Sequence, residues 1–382
     1  MNSSTNPPIS TQLPQYQRCM VMAGGGFRFG IYLGMYAAAR DAGKTPDLLL
    51  ASCGAAIAAA LIQALPDDEQ RKAWLSSHEM YQFWASLQST SQAAIHRSLI
   101  QAIKRKLSSK NTPKIPDVFQ DYMFEIPPNL PLPTVSPSQA AGAPAVAIIG
   151  GKLLYQPEEV GQPRGHRKLF EETVFCDQRT ATLLQGIQSP FSAPMWGNHA
   201  IAPQLLIDVD MPLAEAVRIS VSDMFYFRCH SYRRPATGQM EHYIGGVLDL
   251  FPIEIARRLA HEVTMEFKES FDQTFAIPAL RAVLGINGNQ RLRYVHHQFA
   301  DTWIDSSDIS IALAREQVQK KLAFRRNRVS LIMPDSYDTY VQYIEAQWQY
   351  GYQRAKEAFA KTSANSKEPI RNANRYNSPQ GV

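Results

Sequence analysis

The stretch Pro46–Pro66, PDLLLASCGAAIAAALIQALP, decides the fold of this chain. Its last 19 residues carry no charged side chain, a run long enough to be mistaken for a membrane helix. However, the small and polar residues at 52–54, SCG, interrupt the run early. The pattern instead predicts a buried parallel strand at Leu48–Ala51, a tight turn, and a buried helix of small residues at Gly54–Leu65.

A glycine-rich loop precedes this stretch. The segment MAGGGFRFG, Met22–Gly30, follows a predicted strand at Cys19–Ala23 and opens a predicted helix at about Phe29–Ala42. Successive glycines before a helix let backbone N–H groups converge on a phosphate or a developing oxyanion. A dinucleotide site would need a third glycine where Phe29 stands and an acidic residue after the second strand, which ends in ASC. The order of strands and helices predicts a mainly parallel sheet flanked by helices.

The remaining pattern predicts one α/β domain with additions. Residues 1–16 and 363–382 are polar and are expected to be disordered, which leaves a domain at 17–362. Within it, we expect a helical insertion at about 67–126 and a proline-rich connection at 127–144. Later elements are predicted in this order: strands in AVAIIGG, LFEETVFCD and HYI, a helix from about Ile253, a buried strand at Arg328–Pro334, and an amphipathic helix at Tyr337–Ala360.

Composition predicts a cytoplasmic protein with a sizeable core. Of the 382 residues, 45% are hydrophobic, and the net charge of +5 is too small to indicate a nucleic-acid partner. The four cysteines have neither the spacing of a metal site nor that of a disulfide framework, so we expect free thiols. The first residues lack the basic and apolar regions of a signal peptide.

The positive charge is concentrated after the predicted elbow helix. From Met80 to Pro116 there are six basic residues and no acidic one. Arg97, Lys104, Arg105 and Lys106 accompany apolar residues at roughly helical spacing, which is typical either of a solvated helix face or of peripheral contact with a membrane surface. Both alternatives remain open from the sequence.

Separate blocks of this sequence resemble the patatin-like phospholipase family and occur in its order. The resemblance spans roughly Cys19–Glu262. The family has a G-G-G-x-R/K oxyanion loop, a G-x-S-x-G nucleophile elbow, an A-S-S-A-I-P-x-x-F segment and a downstream D-G-G motif. The corresponding residues here are Gly24, Gly25, Gly26, Phe27 and Arg28 in the loop, the turn around Gly54, the segment VRISVSDMFYF at Val217–Phe227, and Gly245 and Gly246 in YIGGVLDLFP.

The chain departs from this pattern at both catalytic positions. An ungapped alignment puts Cys53 in the nucleophile slot, whereas a shift of one residue puts Ser52 there but leaves Leu50 where the tight turn needs a small residue. The family's catalytic aspartate position falls on Ile244, which cannot accept a proton. Asp249 is the nearest carboxylate to that motif, and His242 is an alternative base.

The resemblance implies a lipid acyl hydrolase acting on phospholipid or lysophospholipid. In such an enzyme Ser52 or Cys53 attacks the acyl carbon, Asp249 serves as the base, and the glycine loop stabilises the oxyanion. The resemblance also implies that no metal or organic cofactor is needed. Because Ile244 replaces the aspartate, the alternative is a catalytically inactive relative that binds acyl lipid, a membrane surface or a protein partner. A thiol-sensing regulator at Cys53 is a third reading.

Overall fold

A computed structural model of the protein describes residues 14–24, 26–107, 112–134, 142–268, 271, 276–323 and 327–364. Within the helix at Ile95–Leu107, it describes the backbone alone for residues 98, 99, 101, 102, 106 and 107. The described residues form an α/β fold in which helices flank a mixed and mostly parallel sheet of nine strands. This architecture confirms the predicted fold class.

The nine strands of the sheet are β1 Tyr16–Met22, β2 Leu48–Ser52, β5 Ala145–Leu153, β6 Phe170–Phe175, β7 Ile201–Asp208, β8 His230–Arg233, β9 Met240–Ile244, β10 Ala260–Phe267 and β11 Thr302–Asp305. They follow each other across the sheet in the order β11-β10-β1-β2-β5-β6-β7, and β8 and β9 form a hairpin attached to β5. Pairing is parallel except between β5 and β6, between β5 and β9, and within the hairpin. Two short pairs lie outside this sheet: β3 Gln88–Ser89 with β4 Phe124–Glu125, and β12 Gln319–Ala323 with β13 Arg328–Ile332.

Helices cover both faces of the sheet with separate apolar clusters. The first cluster includes the two helices after the glycine loop and the elbow and the long C-terminal helix; the second includes the helix after β9. The helices are α1 Gly30–Asp41, α2 Ala55–Ala64, α3 Asp68–Leu75, α4 His78–Ala85, α5 Ile95–Leu107, α6 Gln178–Leu183, α7 Leu213–Ser220, α8 Ile253–Leu259, α9 Ala276–Leu284, α10 Gly288–His296, α11 Ile309–Ala312 and α12 Tyr337–Ala364.

The uncharged stretch forms the predicted strand, turn and helix. All five residues of β2 are buried, because β1 and β5 pair with its two edges and helices cover its two faces. Helix α2 is almost entirely buried as well, which explains why alanines fill it: a small side chain lets the helix approach the sheet closely. No helix among the described residues is long and apolar enough to cross a membrane.

One predicted element has a different environment from the expected one. The strand at Arg328–Pro334 was expected to be buried, but β13 ends at Ile332, is half-exposed and pairs with β12 outside the main sheet. Its apolar residues therefore suggested a central strand that the fold does not contain. The termini expected to be disordered fall largely outside the described residues, although Tyr16 already begins β1 and is buried.

Candidate functional site

Cys53 occupies the sharp turn between β2 and α2. Its φ is +51°, a left-handed conformation that costs a non-glycine residue free energy and is typical of a nucleophile elbow. Two glycines fit closely around it. A Cβ atom added to Gly24 would lie 2.4 Å from the Cys53 Cβ, and one added to Gly246 would lie 2.6 Å from the Cys53 nitrogen. Any larger residue at either position would displace the turn.

A carboxylate lies against the Cys53 thiol. The Cys53 Sγ donates a hydrogen bond to Asp223 Oδ1 at 2.8 Å. Asp223 comes from the loop after α7, within the segment Val217–Phe227. The structure therefore brings a nucleophilic atom and a proton acceptor into direct contact, which is the geometry required of a nucleophile and its base.

Backbone contacts fix the Asp223 loop against the glycine pair after β9. The Gly245 N–H donates to the Ser222 carbonyl oxygen at 2.7 Å, and the Phe227 N–H donates to the Asp223 carbonyl oxygen at 2.9 Å. A Cβ atom on Gly245 would meet Asp223 Oδ1 at 2.7 Å, so this glycine is needed for the loop to approach. Phe225 has a φ of +68°, a second strained residue beside the site.

Burial sets the protonation of the two groups. It raises the pKa of the Asp223 carboxyl to about 7, while the hydrogen bond from Cys53 and the charge of Lys320 oppose that rise. Burial and the negative charge of Asp223 together raise the pKa of the Cys53 thiol well above its usual range. At neutral pH the sulfur therefore carries its proton and donates it to a partly ionised carboxylate.

Ser52, the residue before Cys53, contacts Asp249 and not Asp223. The Ser52 hydroxyl donates to the Asp249 carbonyl oxygen at 2.9 Å and is fully buried. The Asp249 carboxylate accepts a hydrogen bond from Arg291 Nη2 at 2.8 Å, and Arg291 also binds Glu254. Neither side chain is directed at Asp223, and both are engaged in contacts that stabilise the turn.

Two further positions considered for the base are occupied by other contacts. The Ile244 side chain is fully buried in an apolar cluster, as its chemistry requires. The His242 Nδ1 shares a hydrogen bond with Ser231 at 2.8 Å on the β8–β9 hairpin, and burial lowers the pKa of its ring. Neither residue lies against Cys53, whereas the Asp223 carboxylate from the loop after α7 does.

The glycine loop leads from β1 into α1. Gly26 has a φ of +67°, a conformation that glycine adopts readily, whereas the predicted contribution of Gly25 falls outside the described residues. Arg28 is partly buried. Phe27 is partly buried too, and its ring lies 5.2 Å from that of Trp84 and 6.5 Å from that of Phe227, so aromatic side chains border the loop. Gly54 leaves room for the Phe29 ring, because a Cβ atom added to Gly54 would lie only 2.4 Å from that ring.

The basic helix α5 presents only some of its cations to solvent. Arg97 and Lys104 are exposed, whereas the Lys106 side chain falls outside the described residues. Arg105 is turned inward: its guanidinium donates to Asp121 at 2.9 Å and lies 3.4 Å from the centre of the Phe225 ring. The structure therefore places Arg105 behind the Asp223 loop and away from the exposed face.

Sequence patterns do not single out Asp223 or Lys268, the second charged residue near Cys53. The available signal for Asp223 was that it is the only carboxylate in the segment Val217–Phe227, where the family pattern has apolar or small residues. Lys268 directly follows β10, and its Nζ lies 2.6 Å from the Gly24 carbonyl oxygen. No local pattern predicts that contact, because it joins residues 244 positions apart.

No protein-family model and no curated protein matches this sequence. Among solved structures, the chain is similar to VipD from Legionella pneumophila, with 11% sequence identity and a TM-score of 0.31 over 93% of this chain and 68% of that chain. A similarity of this size says nothing about activity, so any inference about activity has to rest on the geometry around Cys53 and Asp223.

Proposed function

We propose that this protein is an acyl-ester hydrolase acting on phospholipid or lysophospholipid, with Cys53 as nucleophile and Asp223 as general base. The observation that carries the proposal is the 2.8 Å contact between the Cys53 thiol and the Asp223 carboxylate at a strained strand-to-helix turn. Strain of this kind is retained where a side chain must be held out for chemistry. The glycine loop beside it supports acyl transfer in particular, because this reaction develops an oxyanion.

In the proposed mechanism, Asp223 accepts the thiol proton while the Cys53 sulfur attacks the acyl carbonyl carbon. Backbone N–H groups of the glycine loop and of Gly54, at the positive end of α2, stabilise the tetrahedral oxyanion. Collapse of this intermediate breaks the ester bond, and the leaving alcohol takes the proton from Asp223. Water then attacks the thioester with Asp223 again as base, which releases the fatty acid and restores the thiol.

The surroundings of the dyad support a lipid substrate. The aromatic side chains of Phe27 and Phe227 are only partly buried beside the glycine loop and offer an apolar surface to an acyl chain. On α5, Ile100 and Ile103 are about half-exposed next to the exposed cations Arg97 and Lys104. We propose that this face of α5 contacts an anionic membrane surface, with apolar side chains entering the interface and cations pairing with headgroups.

The test measures hydrolysis of a short-chain nitrophenyl ester and of a lysophospholipid. We expect Cys53→Ala to abolish turnover of both. Cys176→Ala, which removes a partly buried thiol elsewhere, serves as the matched control and should retain it. Ser52→Ala is expected to keep most of the activity because the Ser52 hydroxyl is directed at a backbone carbonyl. Loss of activity in Ser52→Ala with full activity in Cys53→Ala would assign the nucleophile to Ser52 instead.

A second candidate function is a non-catalytic binder of acyl lipid. It is favoured by the raised pKa of the Cys53 thiol, because burial and the neighbouring carboxylate make the reactive thiolate scarce. Vesicle sedimentation separates the two functions. The binder is supported, and the hydrolase rejected, if the wild-type protein pellets with anionic vesicles but turns over no ester. In that case the Lys104→Glu variant should bind the vesicles less than wild type does.

The pH dependence of the hydrolase follows from Asp223. Only the carboxylate form accepts a proton, and burial raises the pKa of this carboxyl to about 7. We therefore expect kcat/KM to be constant at high pH, to reach half of that value near pH 7, and to fall about tenfold for each pH unit well below 7. An ordinary aspartate would place that midpoint about three units lower. A profile that is flat between pH 5 and pH 8, in protein whose melting temperature is unchanged over that range, would contradict the role of Asp223.

A further inference from the structure

The ammonium group of a partly buried lysine contacts the start of the glycine loop. Lys268, the residue after β10, donates from Nζ to the Ala23 carbonyl oxygen at 2.8 Å and to the Gly24 carbonyl oxygen at 2.6 Å. These two carbonyls belong to the point where β1 ends and the loop begins. A single ammonium that binds two successive carbonyls fixes the orientation of the chain there, because charge-assisted hydrogen bonds are about twice as strong as neutral ones.

Lys268 is itself held in place by a polar network. Its Nζ lies 3.2 Å from Glu266 Oε2 and donates to the Tyr32 hydroxyl at 3.0 Å. The Tyr32 hydroxyl donates to the same Glu266 carboxylate at 3.0 Å, and Ser306 donates to its other oxygen. The Glu266 side chain is 1% exposed and that of Lys268 is 14% exposed. The network therefore links β10, α1 and the residue after β11 to the start of the glycine loop.

The loop fixed in this way touches the nucleophile directly. The Ala23 carbonyl points to Lys268. In a trans peptide the N–H of the next residue lies in the same plane and points in the opposite direction, so the Gly24 N–H points away from Lys268. Gly24 in turn fits against the Cys53 Cβ so closely that no side chain could be added. A shift of the Ala23–Gly24 peptide would thus move Gly24 relative to the Cys53 side chain that it contacts.

Fold stability alone gives little reason for this arrangement. Burying a lysine and a glutamate together costs desolvation free energy, and apolar residues of the same size often stabilise a fold as well or better. The charge is directed at the carbonyl oxygens of Ala23 and Gly24, at the start of the loop that borders Cys53. Its positive charge also acts on Cys53 and opposes the rise in the pKa of the thiol.

We propose that Lys268 is a positioning residue that orients the glycine loop against Cys53 through the Ala23 and Gly24 carbonyls. This inference rests on the proposed hydrolase function. It predicts that loss of the ammonium misplaces the oxyanion donors while leaving the apolar surface for the acyl chain unchanged. The loss should therefore appear in kcat, with little change in KM.

The experiment compares Lys268→Met, which keeps the volume of the side chain, with Lys268→Ala, which leaves a cavity. We expect kcat to fall about 100-fold in both, because a displacement of about 1 Å in a catalytic group has an effect of this size. Propylammonium should restore part of the activity of Lys268→Ala by occupying the cavity, whereas sodium chloride at the same ionic strength should not. Lys356→Met, which removes an exposed lysine of α12, is the matched control and should leave kcat unchanged.

A second measurement follows the loop itself and does not depend on turnover. In both Lys268 variants, amide hydrogen exchange in a peptide covering residues 22–29 should be at least about tenfold faster than in wild type. Unchanged exchange there overturns the positioning role, whether or not the wild type is active. Unchanged kcat in an active background, or a loss that appears only in KM, overturns it as well. Faster exchange in protein that has no esterase activity would reject the proposed hydrolase and leave the contact between Lys268 and the loop supported.

Discussion

Replacing Cys53 with serine is expected to leave an active esterase, whereas replacing Asp223 with asparagine is expected to lower kcat/KM about 10²- to 10⁴-fold. The serine hydroxyl would take the place of the thiol in the contact with Asp223, which is 2.8 Å long in the structure. The Asp223→Asn variant keeps the shape of the side chain but removes the proton acceptor. In that variant neither sulfur nor oxygen could transfer its proton during attack.

The serine variant discriminates between two kinds of thiol chemistry. An enzyme that depends on a preformed thiolate loses its activity when oxygen replaces sulfur, because a hydroxyl does not ionise near neutral pH. Here burial and Asp223 raise the pKa of the thiol, so a preformed thiolate is disfavoured and proton transfer has to accompany attack. That mechanism accepts a hydroxyl. We therefore expect kcat/KM of Cys53→Ser to lie within about tenfold of wild type.

A fluorophosphonate probe and a nitrophenyl ester measure this prediction. The probe, which reacts with activated hydroxyl groups, should label Cys53→Ser and should not label the double variant Cys53→Ser with Asp223→Asn. Cys53→Ala provides the baseline. If Cys53→Ser is as inactive as Cys53→Ala while wild type turns over ester, the thiolate is the reacting species and Asp223 does not act as proposed.

Local patterns were sufficient for the elements that present the site. Four apolar residues, a turn of small residues and an alanine-rich run can satisfy their burial only as a central strand and a covered helix, and the structure has β2 and α2 at those positions. The glycine segment predicts the loop before α1 for the same kind of reason, because its backbone conformation is open to glycine and costly for other residues.

The partners of Cys53 could not be predicted in this way. Asp223 lies 170 residues from Cys53 in the sequence, and its approach depends on the register of β9 against β5 and on the packing of α7. The position where the sequence resemblance led us to expect a carboxylate, Ile244, directly precedes the glycine pair that leaves room for the Asp223 loop. Arg105 likewise reads as a surface cation, although Asp121 and Phe225 hold it inside.

Asp249 provides the strongest contrast with Asp223, because we expect its loss to affect stability and not chemistry. Its side chain is fully buried and forms an ion pair with Arg291, which is 6% exposed. Removing one member of a buried pair leaves an uncompensated charge and typically costs about 3–5 kcal/mol. Glu254 also binds Arg291, so we expect the cost for Asp249→Asn to lie at the lower end, about 3 kcal/mol. Urea unfolding of wild type and variant measures this free energy.

The effect should be specific to the buried carboxylate and separate from turnover. Asp210→Asn, which alters an exposed aspartate, is the matched control and should change the free energy of unfolding by less than about 0.5 kcal/mol. The pair borders a small cavity of about 20 Å³ that is lined mainly by apolar side chains. At a temperature where Asp249→Asn is fully folded, its kcat/KM should remain near that of wild type. A loss of more than about 100-fold there, with stability unchanged, would identify Asp249 as the base and remove Asp223 from that role.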